Sequence, residues 1–171
     1  MKIFNPGDKV IHNSYGLCKI AAIEHADAYY GNQNCYIIYI KQTKIVIPVD
    51  SADMLRYPMK KEEVSKILEV LSNFEELPEK LPPEDRLKVY TEKLASNDIF
   101  KIIEVLKSLS FLDKVDKLNG SEKNIFEHIN KILSDEISFI RNITAQEAQK
   151  LINNRLKKIG SHTKCPRKQG H

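Results

Sequence analysis

The apolar residues of this chain change their period near residue 58, and that change decides most of what it can fold into. Before it they fall in short runs: KVIH (Lys9–His12), LCKIAAIE (Leu17–Glu24), CYIIYIK (Cys35–Lys41) and IVIPV (Ile45–Val49). Pro6-Gly7-Asp8, Tyr15-Gly16, Gly31-Asn32-Gln33-Asn34 and Gln42-Thr43-Lys44 punctuate them. Valine, isoleucine and tyrosine in short runs between turn residues read as hairpin strands. Strands this short and this closely spaced predict a small, strongly twisted barrel. Pro48 has no amide to donate, so the fourth run belongs at a sheet edge or ends there.

Beyond Arg56-Tyr57-Pro58 the spacing becomes helical. Val64, Ile67, Leu68 and Leu71 share one face. EELPEKLPPED then interrupts the pattern with Pro78, Pro82 and Pro83. Pro82-Pro83-Glu84-Asp85 suits a helix entry, because proline fits the first turn and acids favour the positive dipole end. Leu87, Tyr90 and Leu94 form the next stripe, and Asn97-Asp98 can stop that helix and cap another. Ile99, Ile102, Ile103, Leu106 and Leu109 follow. Gly120-Ser121 is expected to cap a helix with Ile125, Ile129, Ile132, Leu133, Ile137 and Ile140 inward. Thr144 and Glu147 form a capping box for the last helix, whose face is Ala148, Leu151, Ile152 and Leu156. One-sided apolar helices must pack on one another. The expected fold is therefore α+β: a small SH3-like β-barrel over residues 1–58, then an all-α bundle over 59–159, then a basic tail over 160–171.

Charge is unevenly spread. The net is +2 over residues 1–60, −4 over 61–152 and +6 over 153–171. A basic end of this kind can attract nucleic acid without sequence preference, or simply be a solvated terminus. No apolar run is long enough to span a bilayer and MKIFNPGDK has no signal-peptide core, so the cytoplasm is the expected location. Cys18, Cys35 and Cys165 are odd in number and contain no CxxC, so no disulfide framework is expected. His12, His25, His128, His162 and His171 are scattered, and phosphate-loop, dinucleotide, nucleophile-elbow and HExxH motifs are absent. No metal, cofactor, small-molecule substrate or enzymatic activity is expected. Glu75, Glu76 and Glu79 read as a solvated linker.

Several motifs together carry a resemblance. GDKV, then YG, then IxxIE, a further strand and IPVDSADMLR resemble the N-terminal module of the CarD/CdnL family. These are bacterial transcription regulators whose Tudor-like module binds the β subunit of RNA polymerase. A related module occurs in the transcription-repair coupling factor. The matching residues are Phe4, Gly7, Asp8, Val10, His12, Tyr15, Gly16, Ile20, Ile23, Glu24, Ile47, Pro48, Val49, Asp53 and Arg56. RLKVYTEKLASND (Arg86–Asp98) resembles the family's basic helix, and LNGSEK (Leu118–Lys123) its turn into a later helix. The likeness covers most of residues 3–140.

The resemblance implies two partners, RNA polymerase and duplex promoter DNA, in the bacterial cytoplasm at the nucleoid. Lys44, Ile45, Val46, Ile47, Pro48 and Val49 are the candidate polymerase contact, as an edge strand that a partner sheet extends. The same run also reads as a core strand. Arg86, Lys88, Lys93 and Lys123 match the family's basic positions. Arg86 and Lys93 lie about two turns apart and share a face, while Lys88 projects elsewhere. The family's minor-groove tryptophan has no counterpart in this tryptophan-free chain, and Pro83 stands at about its position. Arginines on the family's polymerase-facing strands correspond here to Ala26 and Val46. Two alternatives stay open: a ribosomal RNA- or protein-binding module that stacks bases on Tyr15, Tyr29, Tyr30, Tyr36 and Tyr39, and a polymerase adaptor that does not touch DNA.

Overall fold

The computed structural model describes residues 3–27, 31–73 and 81–157. The basic tail, Cys165, the Glu75–Glu79 run, Tyr29 and Tyr30 lie outside these residues. Five antiparallel strands come first: β1 (Lys9–His12), β2 (Gly16–His25), β3 (Asn34–Ile40), β4 (Thr43–Pro48) and β5 (Leu55–Arg56), in the order β4-β3-β2-β1-β5. The sheet is open, which corrects the barrel expectation. A 3₁₀ segment, Val49–Met54, carries the chain from one edge to the other, and β5 is two residues long and pairs only with β1. Among the described residues no pairing joins β4 to β5, so both are edges of the sheet.

Alternation sets the core. Phe4, Val10, Cys18, Ile20, Tyr36, Ile38, Ile47 and Leu55 bury together. The register slips between Ile20 and Ala22, and such an added residue bends and twists a strand. Phe4 meets the Tyr36 ring edge-on at 5.6 Å, and its amide donates to Tyr36 Oη at 3.2 Å. Cys18 and Cys35 are buried free thiols. Burial pushes both upward from the ordinary thiol range, which disfavours the reactive thiolate.

Helices α1 (Lys61–Val70), α2 (Pro83–Ala95), α3 (Ile99–Lys114), α4 (Gly120–Arg141) and α5 (Ala145–Lys157) pack around Ile67, Leu71, Ile103, Leu106, Leu109, Ile137 and Ile152. Asp98 caps α3 by accepting from the Phe100 amide at 2.9 Å, and Asn97 before it takes a left-handed φ of 52°. The α4 cap is Asn119 rather than Gly120-Ser121. Its side chain accepts from the Glu122 amide at 2.9 Å while Glu122 accepts from the Asn119 amide at 3.1 Å. The Thr144–Glu147 box forms as expected. Hydrogen bonds from Thr144 hold the Glu147 carboxyl below its ordinary range. Among the described residues no helix is long and apolar enough to cross a membrane.

The sheet meets the bundle through the face opposite its own core. Gly16, with φ 74°, is buried against α4, where an added Cβ would sit 3.4 Å from Ile132 Cγ1. Any side chain here would be strained at that φ and would press on the helix. His12, paired with Gly16 across the hairpin, is buried. Its Nδ1 accepts from the Ser14 amide at 3.0 Å, which assigns the proton to Nε2 in the neutral ring. Burial lowers its pKa below the usual 6.5. The neutral ring is therefore fully compatible with the fold above 6.5. As pH falls below that value the unfolded chain takes up a proton that the folded chain resists, and stability declines until the folded pKa is reached. Urea midpoints are expected to fall between pH 7.5 and 5.5. The His12 part of that fall should vanish in His12→Gln.

A candidate docking edge and a basic face

Among the described residues β4 has a strand on one side only, which leaves the outer row of its backbone groups without a strand partner there. The six candidate polymerase residues are contiguous on β4 and the residue after it. Ile45, Ile47 and Val49 turn toward the sheet core. Lys44, Val46 and Pro48 fall on the opposite face, beside Tyr39, Ile37 and Cys35 of β3. The run is therefore an edge strand that also feeds the core, through alternate side chains. Lys44 reaches across β3 to Glu24 of β2 at 2.7 Å, both half-exposed. Ala26 is half-buried and its amide donates to Gln33 at 2.9 Å.

The basic candidates do not form one set. Arg86 is turned inward. Its Nε donates to Glu122 Oε1 at 2.8 Å and its Nη1 to the Leu81 carbonyl at 2.9 Å. The Arg86 side chain is 12% exposed and that of Glu122 is fully buried. The hydrogen bond to Glu122 raises the Arg86 pKa still further, so the guanidinium stays charged. It joins the start of α2 to the start of α4, and this commits Arg86 to structure. Lys93 pairs with Glu104 of α3 at 3.0 Å, near the surface. Lys88 and Lys123 are exposed and have no salt bridge among the described residues. Lys123 adjoins Glu122 and Lys88 lies two residues past Arg86, so the buried pair sets both at one end of the bundle. Pro83, exposed at the first position of α2, is at that end too, with the exposed acids Glu84 and Asp85 beside it.

Sequence reasoning missed the pair that holds the two parts together. Arg56 of β5 donates through Nη1 and Nη2 to both oxygens of Glu136 on α4, at 2.7 and 2.6 Å. The Met59 amide adds 2.8 Å to the same carboxylate. Glu136 is wholly buried. A signal was available: Glu136 sits in the Leu133–Ile137–Ile140 stripe, and a buried charge there requires a partner. Nothing local names Arg56, which is 80 residues away.

The described residues thus fall into two parts, a small open sheet with an exposed edge and a bundle of five helices. Residues 4–59 match the CarD-like/TRCF RID domain, and residues 66–153 match the CarD C-terminal domain. A Bacillus subtilis (strain 168) protein named "Putative transcription factor YdeB" is 24% identical over 148 residues, covering 85% of this chain and 97% of the relative. The chain belongs to the CarD family, and its role is transcription-related. Membership implies interaction with RNA polymerase.

Proposed function

We propose that this chain is a non-enzymatic transcription regulator. It grips the β subunit of RNA polymerase by the outer edge of β4 and rests its bundle against upstream promoter duplex, in the bacterial cytoplasm at the nucleoid. The exposed β4 edge, within the part that matches the RID domain, carries the reading. Strand addition there draws affinity from main-chain hydrogen bonds and specificity from alternate side chains, Lys44, Val46 and Pro48. Lys88 and Lys123 offer two phosphate contacts next to Pro83. With so few cations, duplex binding is weak, salt-sensitive and blind to sequence. Tethering to polymerase supplies the local concentration that the contacts lack.

One observation favours a second reading, a polymerase adaptor that leaves DNA untouched: Arg86 and Lys93 are both paired within the chain. Duplex affinity measured across salt separates the two. In the first reading, Lys88→Glu with Lys123→Glu lowers the log–log salt slope by about 2, since each neutralised phosphate contributes about 0.9. An unchanged slope removes these lysines from the interface. If deleting residues 160–171 then abolishes binding, the tail is the contact.

A further inference from the structure

Strand registers set one row of exposed side chains across the sheet, on the face opposite its core. Lys9 of β1 is the register partner of Lys19 of β2, and Tyr39 of β3 is that of Lys44 of β4. Ile20 and Ile38 are partners on the core face, so their neighbours Lys19 and Tyr39 both turn to the other face. The row therefore reads Lys9, Lys19, Tyr39, Lys44 from β1 to β4, about 14 Å at the usual strand spacing. All four are exposed, Tyr39 by 52%. Phe139 of α4, 46% exposed, extends the row beyond β1, with the Lys9 ammonium 6.0 Å from its ring centre. Sheet packing does not account for this row. Two lysines directly opposite each other repel, and such a pair weakens a hairpin. Among the described residues neither Lys9 nor Lys19 has a salt bridge, and Glu24 of β2 is taken by Lys44 at 2.7 Å.

We propose that this face of the sheet binds single-stranded nucleic acid, with phosphates on the lysines, a base stacked on Tyr39 and Phe139 as a second platform. Cations in a line with exposed rings among them match what an unpaired strand offers: backbone charge, and a free π-face on every base. A polyanion relieves the Lys9–Lys19 repulsion that the fold leaves unanswered. The carboxylates of an acidic polypeptide would satisfy the cations but gain nothing from the rings. A duplex keeps its bases stacked inside, out of reach of Tyr39. Phosphates and ring faces are common to DNA and RNA, so the row takes either sugar. Strand addition uses the outer backbone row of β4, whereas this surface is made of side chains standing off the sheet. The proposal therefore rests neither on polymerase docking nor on the duplex contacts of Lys88 and Lys123.

A fluorescein-labelled oligothymidylate dodecamer is titrated with the full chain and followed by anisotropy across salt. Saturable binding is expected. Tyr39→Phe keeps the ring and should bind as the native chain does. Tyr39→Leu keeps an apolar side chain without the ring, and should bind about five- to 150-fold more weakly, the worth of one stacked base. Phe139→Leu should weaken binding in the same direction, and it decides if Tyr39→Leu does not melt cooperatively. Lys9→Gln with Lys19→Gln should lower the log–log salt slope by about 1.4, at about 0.7 per phosphate on a single strand. Lys61→Gln with Lys66→Gln, at exposed positions of α1, removes the same charge and should leave the slope unchanged. Oligouridylate should follow oligothymidylate through these variants, and a thymidylate–adenylate duplex should be indifferent to Tyr39→Leu. Failure of oligothymidylate to bind at low salt overturns the proposal. So does undiminished binding in the folded ring variants, or an equal fall in slope for the α1 pair. If polyglutamate binds with the same loss in Tyr39→Leu, the face belongs to an acidic protein segment and the proposal falls.

Discussion

Glu136→Ala is expected to lower stability by about 3–5 kcal/mol, the usual cost of stranding one member of a buried ion pair. The substitution removes both acceptors of the Arg56 fork and the acceptor of the Met59 amide. Arg56 would keep a single 3.3 Å bond to the Tyr57 carbonyl. Domains of this kind are held by about 5–15 kcal/mol, so the loss is a large share of the total. Urea unfolding followed by circular dichroism measures it. The control is the double variant Arg56→Leu with Glu136→Leu. Removing both charges often leaves stability unchanged or improved, so the double variant should recover most of what the single one loses. A double variant as unstable as Glu136→Ala would show that the pair does not explain the effect.

Arg86→Ala should destabilise by about 3 kcal/mol, because it strands the buried Glu122 carboxylate at the joint of α2 and α4. The Asn119–Glu122 box would survive, since its bonds use Glu122 Oε2 and the Glu122 amide. Lys88→Ala, two residues away and exposed, should change stability by no more than about 0.5 kcal/mol. Duplex binding should follow the opposite order once each protein is shown to be folded: weakened by Lys88→Ala and unchanged by Arg86→Ala below its melting temperature. Equal stability in the two variants would return Arg86 to the solvent-facing cations. Denaturation midpoints and gel shifts on the same preparations decide the matter.

These two arginines show where a linear reading reaches its limit. Strands and helices were legible because a period of two or 3.6 residues repeats within each, and Pro48 announced an edge through its missing amide. Asp98 and the Thr144–Glu147 box were legible because caps act over three residues. β5 was not, because two residues have no period. Without β5 and the 3₁₀ segment before it, the open sheet read as a closed barrel. The matching positions marked Arg86 and Lys93 as cations on one face. The burial of Arg86 and the pairing of both depend on Glu122 and Glu104, which tertiary packing supplies. Gly16 could be seen as a turn residue, but its approach to Ile132 belongs to the assembled molecule. Local physics thus located the β4 edge, while the separation of structural from available cations depended on contacts between distant segments.

The most direct test of the account is the affinity of the full chain for the isolated β lobe of RNA polymerase, measured beside Val46→Asp. Val46 is half-buried on the face of β4 away from the sheet core. An aspartate there disfavours strand pairing and sets a charge on the proposed seam. The account predicts one-to-one binding by the native chain, weakened about tenfold or more in the folded variant. Absence of binding by the native chain at low salt, or equal binding by the variant, would contradict it.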